Sequence, residues 1–225
     1  MYDLLTGPAF VLAFAFCVLG LLARTVWYIK GLDWQLDRVA YTRFPKYGAK
    51  GALRSIGHWL LPFGSRNWRV RPVFTIVFFT FHVGLILTPL FLQGHAVILH
   101  QRLGLSWPAI PMGLADALTI AVLITGGIIF VRRLALPEVR VLTSAYDIFL
   151  LLLTLAPFAT GLLAVQNAPG YIFWLYAHII LGEALLIAIP LTKLSHIVLF
   201  FLTRAQIGMD FGIKRGGMKG RGISW

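Results

Sequence analysis

Acidic residues are scarce in this chain, with 8 Asp and Glu against 20 Lys and Arg among 225 residues. Cysteine is nearly absent, Cys17 standing alone. One cysteine excludes a disulfide framework and a thiolate cluster for zinc or iron–sulfur ligation. Inside an apolar run, Cys17 reads as a small apolar side chain. Charge of either sign is sparse, at 12% of residues against 59% hydrophobic. A soluble domain of this length has no interior large enough for that apolar surface, which leaves an integral membrane protein. The net charge of +12 then reads as membrane lipids meeting basic loops, with no nucleic acid partner. No internal repeat is visible.

Apolar runs predict an all-α bundle of five transmembrane helices forming a single membrane domain over 1–225. The expected spans are 8–29, 73–99, 113–130, 144–165 and 171–203, each near the length that crosses a bilayer. Residues 50–63 mix Leu, Ile and Trp with Lys, Arg and His, as an amphipathic helix lying in the interface does; His58 within it reads as an interfacial side chain. The residues before the first span lack the basic stretch of a signal peptide. Basic residues follow that span instead. With the N-terminus periplasmic and the tail 204–225 cytoplasmic, 19 of the 20 Lys and Arg fall on the inner side or at its edge, Arg102 being the exception. That asymmetry sets the expected orientation.

Six histidines are present, and four lie in two spans. In the last, His178 and His196 are 18 residues apart. On a continuous helix that is five turns, placing both imidazoles on one face roughly 27 Å apart. Polar groups inside a span are costly and usually functional. Two in-phase histidines point to two stacked cofactors, and haem b, whose iron takes an imidazole on each face, fits that pattern. The second span supplies His82 and His95, with His100 just beyond. Antiparallel helices pair His82 with His196 as the inner haem ligands. His178 takes either His95 or His100: the former is about 140° out of phase with His82 on an ideal helix and the latter in phase, while Pro89 can rotate the later half of the helix. Gly84, Gly94 and Gly182 flank these histidines and are candidates for letting a flat macrocycle approach the backbone. Zinc fits poorly, because ligands that far apart share no ion.

The residues FHVG around His82, the pair Gly94-His95, the loop RRLALPEVRVLTSAYD (132–147) and the stretch AHIILGEALLIAIPLTKLSHIV carrying His178 and His196 together resemble the NarI-like dihaem cytochrome b family, the gamma subunits of respiratory nitrate reductases. The likeness covers about residues 73–204. The segment LDWQLDRVAY (32–41) and the ending MDFGIKRGGMKGRGISW (209–225) look more like the cytochrome b subunits of the Tmc redox complexes of sulfate-reducing bacteria, and next like the Dsr-type membrane subunits. The resemblance implies an electron-transferring subunit of the cell inner membrane holding two haems b through His82, His95, His178 and His196. It also implies menaquinone, a periplasmic multihaem cytochrome c and a cytoplasmic iron–sulfur subunit of heterodisulfide-reductase type as partners.

A quinone needs an apolar slot with a few polar groups. Gln93, His100, Arg102, Asp116 and Glu183 are the candidates, Glu183 because it lies inside a span. Arg132, Arg133 and Lys193 can neutralise the propionates of an inner haem, or simply set topology. Two further classes stand beside the redox reading: a haem-free transporter or proton channel, and a structural anchor for a cytoplasmic subunit.

Overall fold

The computed structural model describes residues 1–32 and 45–214, with side chains described through residue 210. Most of the segment 32–41 and half of the tail 204–225 lie outside them. Among the described residues the chain is helical, with no strand. Five helices are long and apolar enough to cross a membrane: α1 (Tyr2–Lys30), α4 (Pro72–Phe91), α6 (Met112–Ala135), α8 (Ala145–Val165) and α9 (Tyr171–Leu191). Shorter helices lie between and after them: α2 (Pro45–Leu60), α3 (Arg66–Val70), α5 (Gln93–Leu103), α7 (Pro137–Arg140) and α10 (His196–Lys214). The spans turn large apolar side chains outward, such as Leu12, Val73, Ile124 and Ile172. In water that surface would drive association; in lipid it is the normal exterior. The chain is a multi-pass membrane protein.

Two expected spans are interrupted. The second does not continue to residue 99: α4 ends at Phe91, Leu92 is extended (φ −65°, ψ 132°), and α5 starts at Gln93. The last does not run on to residue 203: α9 ends at Leu191, Thr192 is extended, and a 3-10 turn over Lys193–Ser195 leads into α10. The interfacial helix also differs from its expected bounds, starting at Pro45 and ending at Leu60. Pro62, two residues on, disfavours the helical conformation at Leu61.

The chain divides into two compact units. The first comprises Met1–Cys17 and Val77–Ile189. Its core is Phe81, Val122 and Phe158, contributed by α4, α6 and α8 and surrounded by Leu85, Leu123, Leu151 and Leu155. Small residues allow the close approach that drives helix packing in lipid. A methyl group on Gly84 would stand 2.6 Å from Val122 Cγ2 and 3.1 Å from the Leu118 carbonyl oxygen. Entry into α8 is fixed by a capping box, in which Ser144 Oγ accepts from the Asp147 amide and the Asp147 carboxylate accepts from Ser144. Four threonines in these spans, Thr119, Thr125, Thr154 and Thr160, donate to carbonyls one turn back, so these four carry no unmet hydroxyl into the lipid region. At the N-terminus, Pro8 lies in a π-helical turn over Leu5–Ala9, and Arg102 Nε donates to the Thr6 carbonyl there (3.1 Å).

The second unit comprises Val18–Ile76 and the chain from Pro190 onward. Here α2 packs on α10 through a face of Gly48, Gly51 and Ser55, met by Gly208. Arg204 donates to Ser55 Oγ (3.2 Å) and lies over the Trp59 ring (4.8 Å). Trp59 meets Trp68 edge to face at 5.6 Å.

Candidate functional site

The end of α4 explains how His95 is held. The last four carbonyls of a helix have no partner inside it and must find donors elsewhere, a strict demand where no water is available. All four are satisfied. Thr88 O accepts from the Leu92 amide (3.0 Å) and Phe91 O from the Ile110 amide (2.9 Å). Leu90 O accepts from Trp107 Nε1 (2.6 Å) and Pro89 O from His95 Nδ1 (2.9 Å). The histidine is thus one of the caps that make the break stable.

His178 is held by a related device on α8. Its Nδ1 donates to the Pro157 carbonyl at 2.8 Å. That carbonyl is reachable because residue 161, one turn on, is glycine: a Cβ there would fall 2.8 Å from His178 Nδ1 and 2.9 Å from Cε1. Gly161 was not legible as a site residue in the sequence. Its only signal is its place four residues after a mid-span proline.

These two anchors bring His95 and His178 together. Their rings are nearly parallel, 6° apart, with centroids separated by 5.8 Å. His100 makes no such approach; its Nδ1 is hydrogen-bonded to Ser106 Oγ at 2.7 Å. Two imidazoles sharing one metal, each about 2 Å from it, stand with centroids roughly 6 Å apart. A carbonyl can only accept, so Nδ1 carries the proton in both rings and Nε2 is the basic nitrogen. That tautomer is the one metal-binding histidines adopt when a backbone carbonyl orients them.

A protein of Nitratidesulfovibrio vulgaris (strain Hildenborough), which carries the name Protein and no other description, is 54% identical to this chain over 226 residues, the full length of both. The chain belongs to its family. No family model matches the chain, and no solved structure does.

His82 and His196 repeat the Nδ1 arrangement locally. His82 Nδ1 donates to Phe78 O one turn back (2.8 Å), with the Phe78 ring centroid 4.1 Å from its own. His196 opens α10, and its Nδ1 donates to Lys193 O at 2.9 Å. His82 belongs to the first unit and His196 to the second. The expectation that His178 and His196 share one helix face fails, because α9 stops at Leu191 and the five-turn phase between them does not exist. Pro190, which has no amide hydrogen and whose ring crowds the preceding turn, lies two residues before the break.

The glycine expectations divide. Gly84 opens no space for a macrocycle; Val122 and Leu118 fill its face, so its smallness serves helix packing. Around Gly94 and Gly182 an added methyl group would meet nothing within 4 Å. Among the polar candidates, Gln93 is exposed and Asp116 half-buried. Arg102 is tied to Thr6 and lies against Gly7. Glu183, on α9 five residues after His178, has a buried Oε1 with no hydrogen-bond partner, as does Thr88 Oγ1 beside Pro89. Arg133 reaches Thr143 Oγ1 at 3.5 Å while its Nε is buried and unpartnered; Arg132 is half-buried beside it and Lys193 is exposed. No group of three or more His, Cys, Asp or Glu side chains suited to a metal ion forms among the described residues.

Proposed function

We propose that this chain is the membrane cytochrome b subunit of a respiratory redox complex, passing electrons across the cell inner membrane. The observation that carries this reading is the parallel His95–His178 pair at 5.8 Å, both rings oriented through Nδ1 by carbonyls that prolines supply. His95 and His178 would hold one haem b, and His82 and His196 a second. A haem held between two imidazoles supplies reversible one-electron transfer at a potential tuned by the ligands and their hydrogen bonds. The chain's own part is to fix each imidazole's tautomer and rotation through Nδ1. The carbonyl acceptors make each ligand a stronger electron donor. Gly94 and Gly182 leave room along the helix backbones, and Arg132, Arg133 and Lys193 supply positive charge for propionates.

The basic residues favour a periplasmic N-terminus and a cytoplasmic C-terminus. On that orientation the partners are a periplasmic multihaem cytochrome c or menaquinone on the His95–His178 side, and an iron–sulfur subunit of heterodisulfide-reductase type on the cytoplasmic side. Gln93, His100 and Glu183 are the groups proposed to meet a quinone, with Glu183 exchanging the proton. The unpartnered carboxylate of Glu183 also favours a second reading, a haem-free proton channel or transporter.

The test is a reduced-minus-oxidised visible spectrum with pyridine-haemochrome quantitation on the purified protein. Two haems b per chain are expected, falling to one in His178→Ala and to one in His82→Ala. A folded wild-type chain that binds no haem b would sink the redox reading and leave the channel or an anchor.

A further inference from the structure

The second unit carries a cationic cup that the redox reading does not use. Between Pro45 and Arg71 there are six Lys and Arg and no acidic residue. On α2, Lys46, Lys50, Arg54 and His58 recur every four residues, a spacing that lines them along one ridge of the helix. The neighbouring face, Gly48, Gly51 and Ser55, is buried. Lys46 and Lys50 are exposed, and Arg54 and His58 are half-buried.

Where the ridge ends, the chain folds back to make a pocket of about 380 Å³ lined by Arg54, Gly57, His58, Phe63, Gly64 and Arg69, among others. The fold-back is tightly specified. Phe63 adopts φ +60°, an unusual conformation for a bulky residue. Gly64 has no room for a side chain, since a Cβ would stand 2.6 Å from the His58 carbonyl oxygen. Its own carbonyl accepts from His58 Nδ1 (2.9 Å) and Arg69 Nη1 (3.0 Å). Arg69 Nη1 also donates to Phe63 O (3.1 Å). Among the described residues Arg54 makes one long contact, Nε to His58 Nε2 at 3.4 Å, which leaves most of its guanidinium donors for a ligand. An added methyl group on Gly57 would meet nothing within 4 Å. The rim is cationic, and Leu61 and Phe63 are 60% and 41% exposed.

From this combination we infer that the cup binds the phosphate of an anionic phospholipid headgroup, with Arg54 and Arg69 as its donors and Leu61 and Phe63 against the glycerol and upper acyl region. Guanidinium groups match phosphate oxygens by paired hydrogen bonds. An amphipathic helix on a membrane protein places such a cup at headgroup depth. A soluble phosphate would satisfy the arginines but gives no reason for the exposed Leu61 and Phe63 on the same rim.

The test is native mass spectrometry of the delipidated full-length chain in neutral detergent, titrated with phosphatidylglycerol or phosphatidylcholine. One phosphatidylglycerol should be retained in preference to phosphatidylcholine. Arg54→Gln should weaken that retention about tenfold, and Gly57→Leu, which fills the cup without altering charge, should weaken it comparably. Arg66→Gln removes the same charge from an exposed residue outside the cup and should leave retention unchanged. Equal losses in Arg54→Gln and Arg66→Gln would mean diffuse attraction and overturn the site. Displacement of the lipid by millimolar inorganic phosphate would assign the cup to a soluble anion and overturn the lipid. Arg69 also holds the fold-back, so Arg54 and Gly57 are the variants that decide.

Discussion

The two helix breaks do the same job with different parts. Each follows a proline within three residues, Pro89 before Leu92 and Pro190 before Thr192, and each is followed by a histidine bonded through Nδ1 to a carbonyl of the break. At Leu92 the exposed carbonyls are met by the loop 104–111, through the Trp107 indole and the Ile110 amide. At Thr192 two of them are met by one side chain: Arg24 Nε donates to Pro190 O (2.8 Å) and Nη2 to Leu191 O (3.3 Å). Gly20 makes this possible, because a Cβ there would collide with the Pro190 ring at 2.6 Å. A break capped by a neighbouring loop is shared among several weak parts. A break at which one guanidinium meets two carbonyls concentrates more on a single residue.

That contrast orders the expected losses. Arg24→Ala removes both donors at once and should cost about 3 kcal/mol of stability, since two carbonyls lose a charged partner. Unfolding of the purified chain in mixed detergent measures it; a loss below that of any single cap at Leu92 would erase the distinction. Gly161→Ala should cost about 2 kcal/mol by overpacking the His178 ring, and on the haem reading it should lower haem b content where a Gly113→Ala control, at an exposed position with open space around it, does not. Trp107→Phe keeps the ring but leaves Leu90 O unmet, at about 1 kcal/mol. The remaining caps at Leu92 should hold the break, which near-unchanged helicity by circular dichroism would show.

The five membrane-crossing helices were legible because run length and composition are local properties that hydropathy reads directly. The breaks were only half legible. Pro8, Pro89, Pro157 and Pro190 all lie in apolar runs, yet α8 continues through Pro157 while the chain breaks after Pro89 and Pro190. What the two breaks share is a distant donor for a carbonyl that follows the proline: Trp107 and the Ile110 amide for Leu90 and Phe91, and Arg24 for Leu191. Arg24 is 166 residues from Pro190 in the chain, a separation no periodicity reports. The glycines follow the same rule. Gly84, Gly94 and Gly161 look alike in sequence, but one is filled by Val122, one faces open space and one seats an imidazole. Histidine spacing misled for a related reason: 18 residues means five turns only if the helix survives between them, and at Thr192 it does not.

The shared caps at Leu92 make the loop 104–111 and His95 one mechanical part. Trp107 and Ile110 hold open the same helix end that the imidazole closes. Lifting the loop would free two carbonyls for continued winding, and a helix that wound on through Leu92 would carry the His95 side chain around with it. The loop therefore helps fix the helix end against which that ring is oriented.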